Sequence, residues 1–239
     1  MPILEGQGVT KYFGGLAAVS GVDFHVDQGE ILGLIGPNGA GKTTLFGLIS
    51  AAYVPKPGVI KFRGENITGL KPHQICRQGV ARTFQSVKIF PNLTVLDNVA
   101  LGVHFGTTEQ VTAGQATEEA EGLLDFVGLS ERATFPAGDL TLVNQKLLEV
   151  ARALATKPEV LLLDEIMAGL NPTEVALAME LVAKIRAQGI TILMIEHVMK
   201  AIMSVCDRIM VLHHGKKIAE GTPQDIATSE TVIKVYLGE

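Results

Sequence analysis

Gly36-Pro37-Asn38-Gly39-Ala40-Gly41-Lys42-Thr43-Thr44 is the stretch on which the fold turns. Gly36 to Thr43 satisfies G-x-x-x-x-G-K-[ST], a pattern whose chemistry can be derived part by part. The glycines permit backbone conformations closed to other residues, so that successive N–H groups converge on phosphate oxygens. A helix opening at Thr43 sets its positive end beneath the same phosphates. Lys42 brings a point charge to the β and γ phosphates, and the Thr43 hydroxyl is a ligand for Mg²⁺. Ile31 to Ile35 precedes the loop as a compact apolar run, and Thr43 to Ala51 follows it with helical character. That strand, loop and helix predict a site for Mg-ATP in which Gly36, Pro37, Asn38, Gly39, Ala40, Gly41, Lys42, Thr43 and Thr44 hold the nucleotide.

Composition agrees with an ordered globular protein. The chain has 239 residues, 47% hydrophobic and 19% charged, without low-complexity tracts, enough to bury a sizeable core. A net charge of −5 and a pI near 5.7 argue against nucleic acid as a partner. The amino terminus lacks the basic flank and apolar run of a secretory signal, and Val160 to Leu163 is strand-sized, far short of the roughly 20 apolar residues that span a bilayer. A cytoplasmic protein, peripheral on any membrane it serves, is expected. Cys76 and Cys206 show no CxxC or His-pair spacing and read as inert packing residues.

Working outward, Ile3 to Val26 alternates like strands, with Gly6, Gly8, Gly14, Gly15 and Gly21 as turn signals, and predicts an antiparallel layer. Val59 to Phe62 and Val80 to Phe84 continue the strand pattern, with a short helix opening at Pro72. From residue 86 to 158 helical periodicity takes over, at Val95 to His104, Glu118 to Val127 and Val143 to Ala155, and predicts a helical lobe. Gly106 to Thr117, polar and rich in Thr and Gly, reads as an exposed loop. Beyond Pro158, strands at Val160 to Leu163, Ile190 to Ile195 and Arg208 to Leu212 alternate with helices at Pro172 to Ala187 and Val198 to Val205. The class is α/β, a mostly parallel sheet with helices packed on it. The whole chain, 1–239, reads as one domain, with 1–85 and 159–239 as its nucleotide-binding core and 86–158 as the lobe.

Val160-Leu161-Leu162-Leu163-Asp164-Glu165 brings two adjacent carboxylates to the carboxyl end of a buried strand, the edge where open α/β sheets bind ligands. Their side chains diverge, so Asp164 is assigned to the metal and Glu165 to the base that activates water.

With GPNGAGKTT (36–44), TFQ (83–85), LLLDE (161–165), AGLNP (168–172) and IEH (195–197) taken together, the chain resembles the nucleotide-binding subunits of ABC transporters over nearly its full length. The resemblance implies the ABC type of P-loop NTPase, with an antiparallel β layer and a helical lobe beside the parallel core. It implies that Gln85 senses metal and γ-phosphate, that His197 contacts the γ-phosphate, and that residues 168 to 171 meet a partner subunit. It sets Phe13, in KYFG, against adenine, with Tyr12 the other candidate and a plain core aromatic the alternative for both. VTKYFGGLAAV, GVARTFQ, AGLNPTE, IEHVMKAIM and EGTPQDI resemble the larger ATP-binding subunit of branched-chain amino-acid importers. Implied partners are a second ABC ATPase subunit, transmembrane permease subunits that dock near Gln85 to Asn92, where Ile89 and Phe90 are apolar, and, indirectly, a periplasmic solute-binding protein. Related ATPases serve urea, amides, other amino acids, or lipid and lipopolysaccharide extraction. Non-transport members usually carry a second cassette or a coiled-coil insertion, neither of which this chain has.

The family's L-S-G-G-Q signature departs from pattern. Leu140-Thr141-Leu142-Val143-Asn144 occupies its place. Thr141 keeps a hydroxyl for the partner's nucleotide, Val143 stands where a bare glycine exposes N–H groups, and Ile166 stands where a proline normally follows the glutamate. Pairing with a different ATPase chain, giving two unequal sites, is the expectation; a homodimer is the other arrangement.

Overall fold

Ile31–Ile35, Val160–Asp164 and Thr191–Ile195 are buried at every position. Each must be covered on both faces, which an interior strand of a helix-flanked sheet provides. The computed structural model describes residues 2–106 and 111–237. In chain order, β1 (Pro2–Phe13) and β2 (Leu16–Asp27) precede β3 (Ile31–Ile35), which passes through the glycine-rich turn into α1 (Lys42–Ile49). Next come β4 (Val59–Phe62), β5 (Glu65–Asn66), α2 (Pro72–Gln78) and β6 (Val80–Arg82). Helices α3 (Val95–Gly106), α4 (Ala113–Val127) and α5 (Leu142–Leu154) lead to β7 (Val160–Asp164) and α6 (Pro172–Ala187). β8 (Thr191–Ile195), α7 (Met199–Val205), β9 (Arg208–His213), β10 (Lys216–Gly221), α8 (Pro223–Thr228) and α9 (Glu230–Leu237) complete the described chain.

Among the described residues these strands form two sheets, one ordered β2-β1-β4-β5 and antiparallel, the other ordered β10-β9-β3-β8-β7-β6. The second is parallel except for the β9–β10 pairing. Side-chain alternation sends Ile31, Leu161, Leu163, Ile192 and Met194 into a core shared with α3 to α7. Leu32, Leu34, Val160, Leu162 and Leu193 face the opposite way, onto α1 and the antiparallel sheet. Register then aligns the site. Leu34 pairs with Ile195, which pairs with Asp164, so Gly36, Glu165 and His197 all lie just past one sheet edge, on neighbouring strands about 4.8 Å apart.

Several boundaries differ from expectation. Within the stretch read as a loop, α4 begins at Ala113: the Thr112 side chain accepts from the Gln115 N–H while the Gln115 side chain accepts from the Thr112 N–H, a capping box that starts a helix despite Gly114. Residues 107 to 110 of that stretch lie outside those described. β6 stops at Arg82, and the Thr83 hydroxyl accepts from the Asp164 N–H at 3.0 Å; Phe84 is exposed. Of the glycines read as turn signals, Gly14 and Gly15 form the β1–β2 turn, whereas Gly6, Gly8 and Gly21 lie inside the strands. Gly6 leaves room for the Phe24 ring, which an added Cβ would approach to 2.1 Å. β5 and β10, short or half-exposed, carry no apolar run for a sequence reading to find. Burial raises both thiols, with Cys206 pushed up to about 12, in keeping with packing residues.

Candidate nucleotide site

The turn after β3 packs so closely on neighbouring backbone that two of its positions have no room for a side chain. Gly36 has φ 149° and Gly41 φ 102°. An added Cβ would come within 2.1 Å of the Leu212 carbonyl oxygen at Gly36 and 2.3 Å of the Ala18 carbonyl oxygen at Gly41. The backbone therefore wraps a cavity of about 460 Å³ lined by Asn38 to Thr44, Ala18, Gln85 and Glu165. Gly41 caps α1, so the helix N–H groups open toward this space. Lys42 is buried, its Nζ donating to the carbonyls of Gly36 at 2.7 Å and Pro37 at 3.1 Å. Burial holds its pKa below the usual lysine value, against the opposing pull of the Glu165 and Asp164 carboxylates. The Thr43 residue is exposed.

The paired carboxylates diverge because β7 ends at Asp164 and Glu165 leaves the strand in a left-handed conformation. Asp164 points inward: its Oδ2 takes a 2.8 Å ion pair from Arg82 Nη2, and its Oδ1 is buried with no hydrogen-bond partner. Burial raises its pKa, with the Arg82 contact opposing. A carboxylate oxygen without a hydrogen-bond partner is the kind of ligand a hard cation takes, together with hydroxyl oxygens and waters. Among the described residues no group of three or more His, Cys, Asp or Glu gathers as an all-protein metal cage.

Glu165 turns outward. It adopts φ 54°, a left-handed conformation costing of order 1 kcal/mol or more for a non-glycine residue. Gln85 Nε2 donates to its Oε2 at 2.9 Å, and His197 Nε2 lies 2.9 Å from its Oε1. Gln85, Glu165 and His197, from three separate segments, thus meet at one carboxylate, and Gln85 and Glu165 line the cavity wall. Phe13 and Thr141 do not join that wall. Phe13 packs edge-on against Tyr53 with ring centroids 5.2 Å apart and Lys11 Nζ over both rings, and both Phe13 and Tyr12 are exposed rather than core aromatics. Thr141 caps α5, accepting from the Asn144 N–H at 3.4 Å.

Three residues at the site were not anticipated. Arg82 precedes TFQ and reaches Asp164 as described. Lys146 of α5 donates to the carbonyls of Glu165 at 3.2 Å and of Ala168. Glu196, buried, accepts from the Met167 N–H at 2.7 Å, and burial pushes it up to about 7. Glu196 stands in the quoted IEH and Arg82 beside TFQ, so both had a motif for company; Lys146 had no local signal.

Residues 19–168 match the ABC transporter family model, and residues 216–239 match the branched-chain amino acid ATP-binding cassette transporter model. The chain is 43% identical over 251 residues to the high-affinity branched-chain amino acid transport ATP-binding protein BraF of Pseudomonas aeruginosa, covering 100% of this chain and 98% of that protein. Identity to LivG of Escherichia coli, which bears the same description, is 41%, with 100% and 98% covered. A crystal structure of an ABC transporter ATP-binding cassette in its ADP conformation superposes with a TM-score of 0.89 at 31% identity, covering 100% of both chains. A phosphate cradle at the carboxyl edge of a parallel sheet, a carboxylate held over it and these relatives agree: the chain belongs to the ABC transporter family of nucleotide-binding, ATP-hydrolysing cassettes.

Proposed function

We propose that the chain powers an importer of branched-chain amino acids, binding Mg-ATP at Gly36 to Thr44 and hydrolysing it with Glu165 as base. The observation that carries the catalytic part is the convergence of Gln85 and His197 on the Glu165 carboxylate. The two contacts hold the carboxylate in one orientation at the cavity, where it can take the proton of an attacking water. Asp164 and Thr43 would hold Mg²⁺, aided by Gln85; the ion supplies charge neutralisation at the β and γ phosphates. Lys42 swings from the loop carbonyls to those phosphates, and Phe13 offers a ring to adenine.

In this reading residues 86–158 act as a lobe that carries docking, and the chain sits on the cytoplasmic face of the membrane. Among the described residues no helix is long and apolar enough to cross one, so permease subunits must supply the path. A groove of about 440 Å³ bordered by His73, Cys76, Phe84, Lys88 and Arg152 adjoins the segment after Gln85 and suits a permease helix. Phe90 is exposed beneath the Arg152 guanidinium, 4.9 Å from its ring, and Ile89 packs on the core. A second ATPase subunit of different sequence completes each site, and a periplasmic binding protein delivers the solute.

Uptake of labelled leucine, isoleucine and valine in cells lacking the gene tests the whole proposal. Uptake should fail, return with the wild-type chain, and stay lost with Glu165→Gln, which should still bind ATP. Unchanged branched-chain uptake with loss of urea or amide uptake would transfer the role to those solutes. Normal turnover by Glu165→Gln would remove Glu165 as base.

A further inference from the structure

We infer that Lys146 is a positioning residue for hydrolysis, holding the turn after β7 so that the Glu165 carboxylate stays between Gln85 and His197. The inference rests on Glu165 being the base.

Glu165 occupies a left-handed conformation at φ 54°, and such strain persists only where the surroundings over-determine it. The turn from 165 to 170 has its own bonds, Ala168 N to the Glu165 carbonyl at 3.3 Å and Leu170 N to the Met167 carbonyl at 3.2 Å, each at the weak end of the range. Outside help comes from three sides. The Glu165 N–H donates to the Ile195 carbonyl at 2.9 Å, Glu196 takes the Met167 N–H, and the Lys146 side chain joins the carbonyls of Glu165 and Ala168. Lys146 is buried, so its ammonium keeps few waters and its bonds to the two carbonyls are charge-assisted. It stands on α5, two residues past Asn144 of the altered signature. The same helix grips the segment after Gln85: Glu149 accepts from the Lys88 N–H at 3.1 Å, and Arg152 donates to the Lys88 carbonyl. One rigid helix therefore touches the backbones that carry both Gln85 and Glu165.

The test is Lys146→Met, which keeps the stem and removes the donors, in the full chain assembled with its permease. A fall in kcat of roughly 10²-fold is expected, the loss that a misplacement of about 1 Å brings, with ATP affinity unchanged within about threefold. In a Glu165→Gln background the same change should cause almost no further loss, since both act through one carboxylate. Wild-type kcat in Lys146→Met, or a full additional loss on top of Glu165→Gln, overturns the inference. So does a parallel collapse of ATP affinity and kcat. Should Lys146→Met not fold, Lys146→Gln, with one donor group left, should give an intermediate kcat at unchanged affinity; wild-type kcat there is equally decisive against it. Failure of the base assignment shows separately, in Glu165→Gln alone.

Discussion

Glu196 shows how one buried side chain couples the site to pH. Its carboxylate is raised from 4.5 to about 7 chiefly by burial, with the Met167 and His197 N–H groups and Lys146 opposing. A raised carboxylate binds its proton more tightly in the folded chain than in the unfolded one. Between pH 4.5 and about 7 the folded state therefore holds a proton that the unfolded state has lost, and stability falls as pH rises through that window. The total is on the order of 3 kcal/mol. Glu196→Gln keeps an acceptor for Met167 and removes the charge. Thermal unfolding followed from pH 5 to 8 should show the wild type losing stability and the variant losing clearly less. Parallel curves would mean that Glu196 titrates normally. At this scale the sequence pointed to a glycine-rich turn and its lysine, through G-x-x-x-x-G-K-[ST], because that pattern is local. It did not show Lys146, whose partners lie 19 and 22 residues away in sequence and become neighbours only when α5 packs.

Among elements, α4 is the instructive one. Its first turn contains Gly114 and polar side chains, so periodicity alone pointed to a loop, yet Thr112 and Gln115 satisfy orphan N–H groups reciprocally. The T-x-x-Q pattern was present in the sequence and would have placed the start. Thr112→Ala should destabilise the chain by about 1 kcal/mol and speed amide exchange in the first turns of α4, with ATP hydrolysis unchanged. Unaltered exchange there would show that packing of Ala116 and Ala120, rather than the cap, holds the helix. β3, β7 and β8 were legible because a short, largely apolar run bounded by glycine or charge has few other homes. β5 and β10 were not, since their pairing partners rather than their own residues make them strands.

For the whole molecule, the altered signature and the glycine-rich loop lie on one chain, and the proposed pairing with a second ATPase subunit would place them in different sites. The Thr141 hydroxyl oxygen accepts the Asn144 N–H as the α5 cap, and Leu142 stands exposed beside it. Disabling Lys42 here should then stop most turnover of the assembled transporter, whereas disabling the corresponding lysine of the partner should leave a larger share; losing one preorganised donor can lower a rate by about 10²-fold or more. Equal losses would establish two equivalent sites. By itself the sequence determined the phosphate loop, the acidic strand end, the α/β class and the family resemblance, because backbone freedom at glycine, strand burial and adjacent charges are properties of contiguous residues. Only the tertiary structure decided that Gln85, Glu165 and His197 converge, that Arg82 occupies one oxygen of Asp164, and that α5 reaches both loops through Lys146 and Glu149. Those contacts depend on the strand order β3-β8-β7-β6 and its register, which long-range pairing sets and no local pattern encodes.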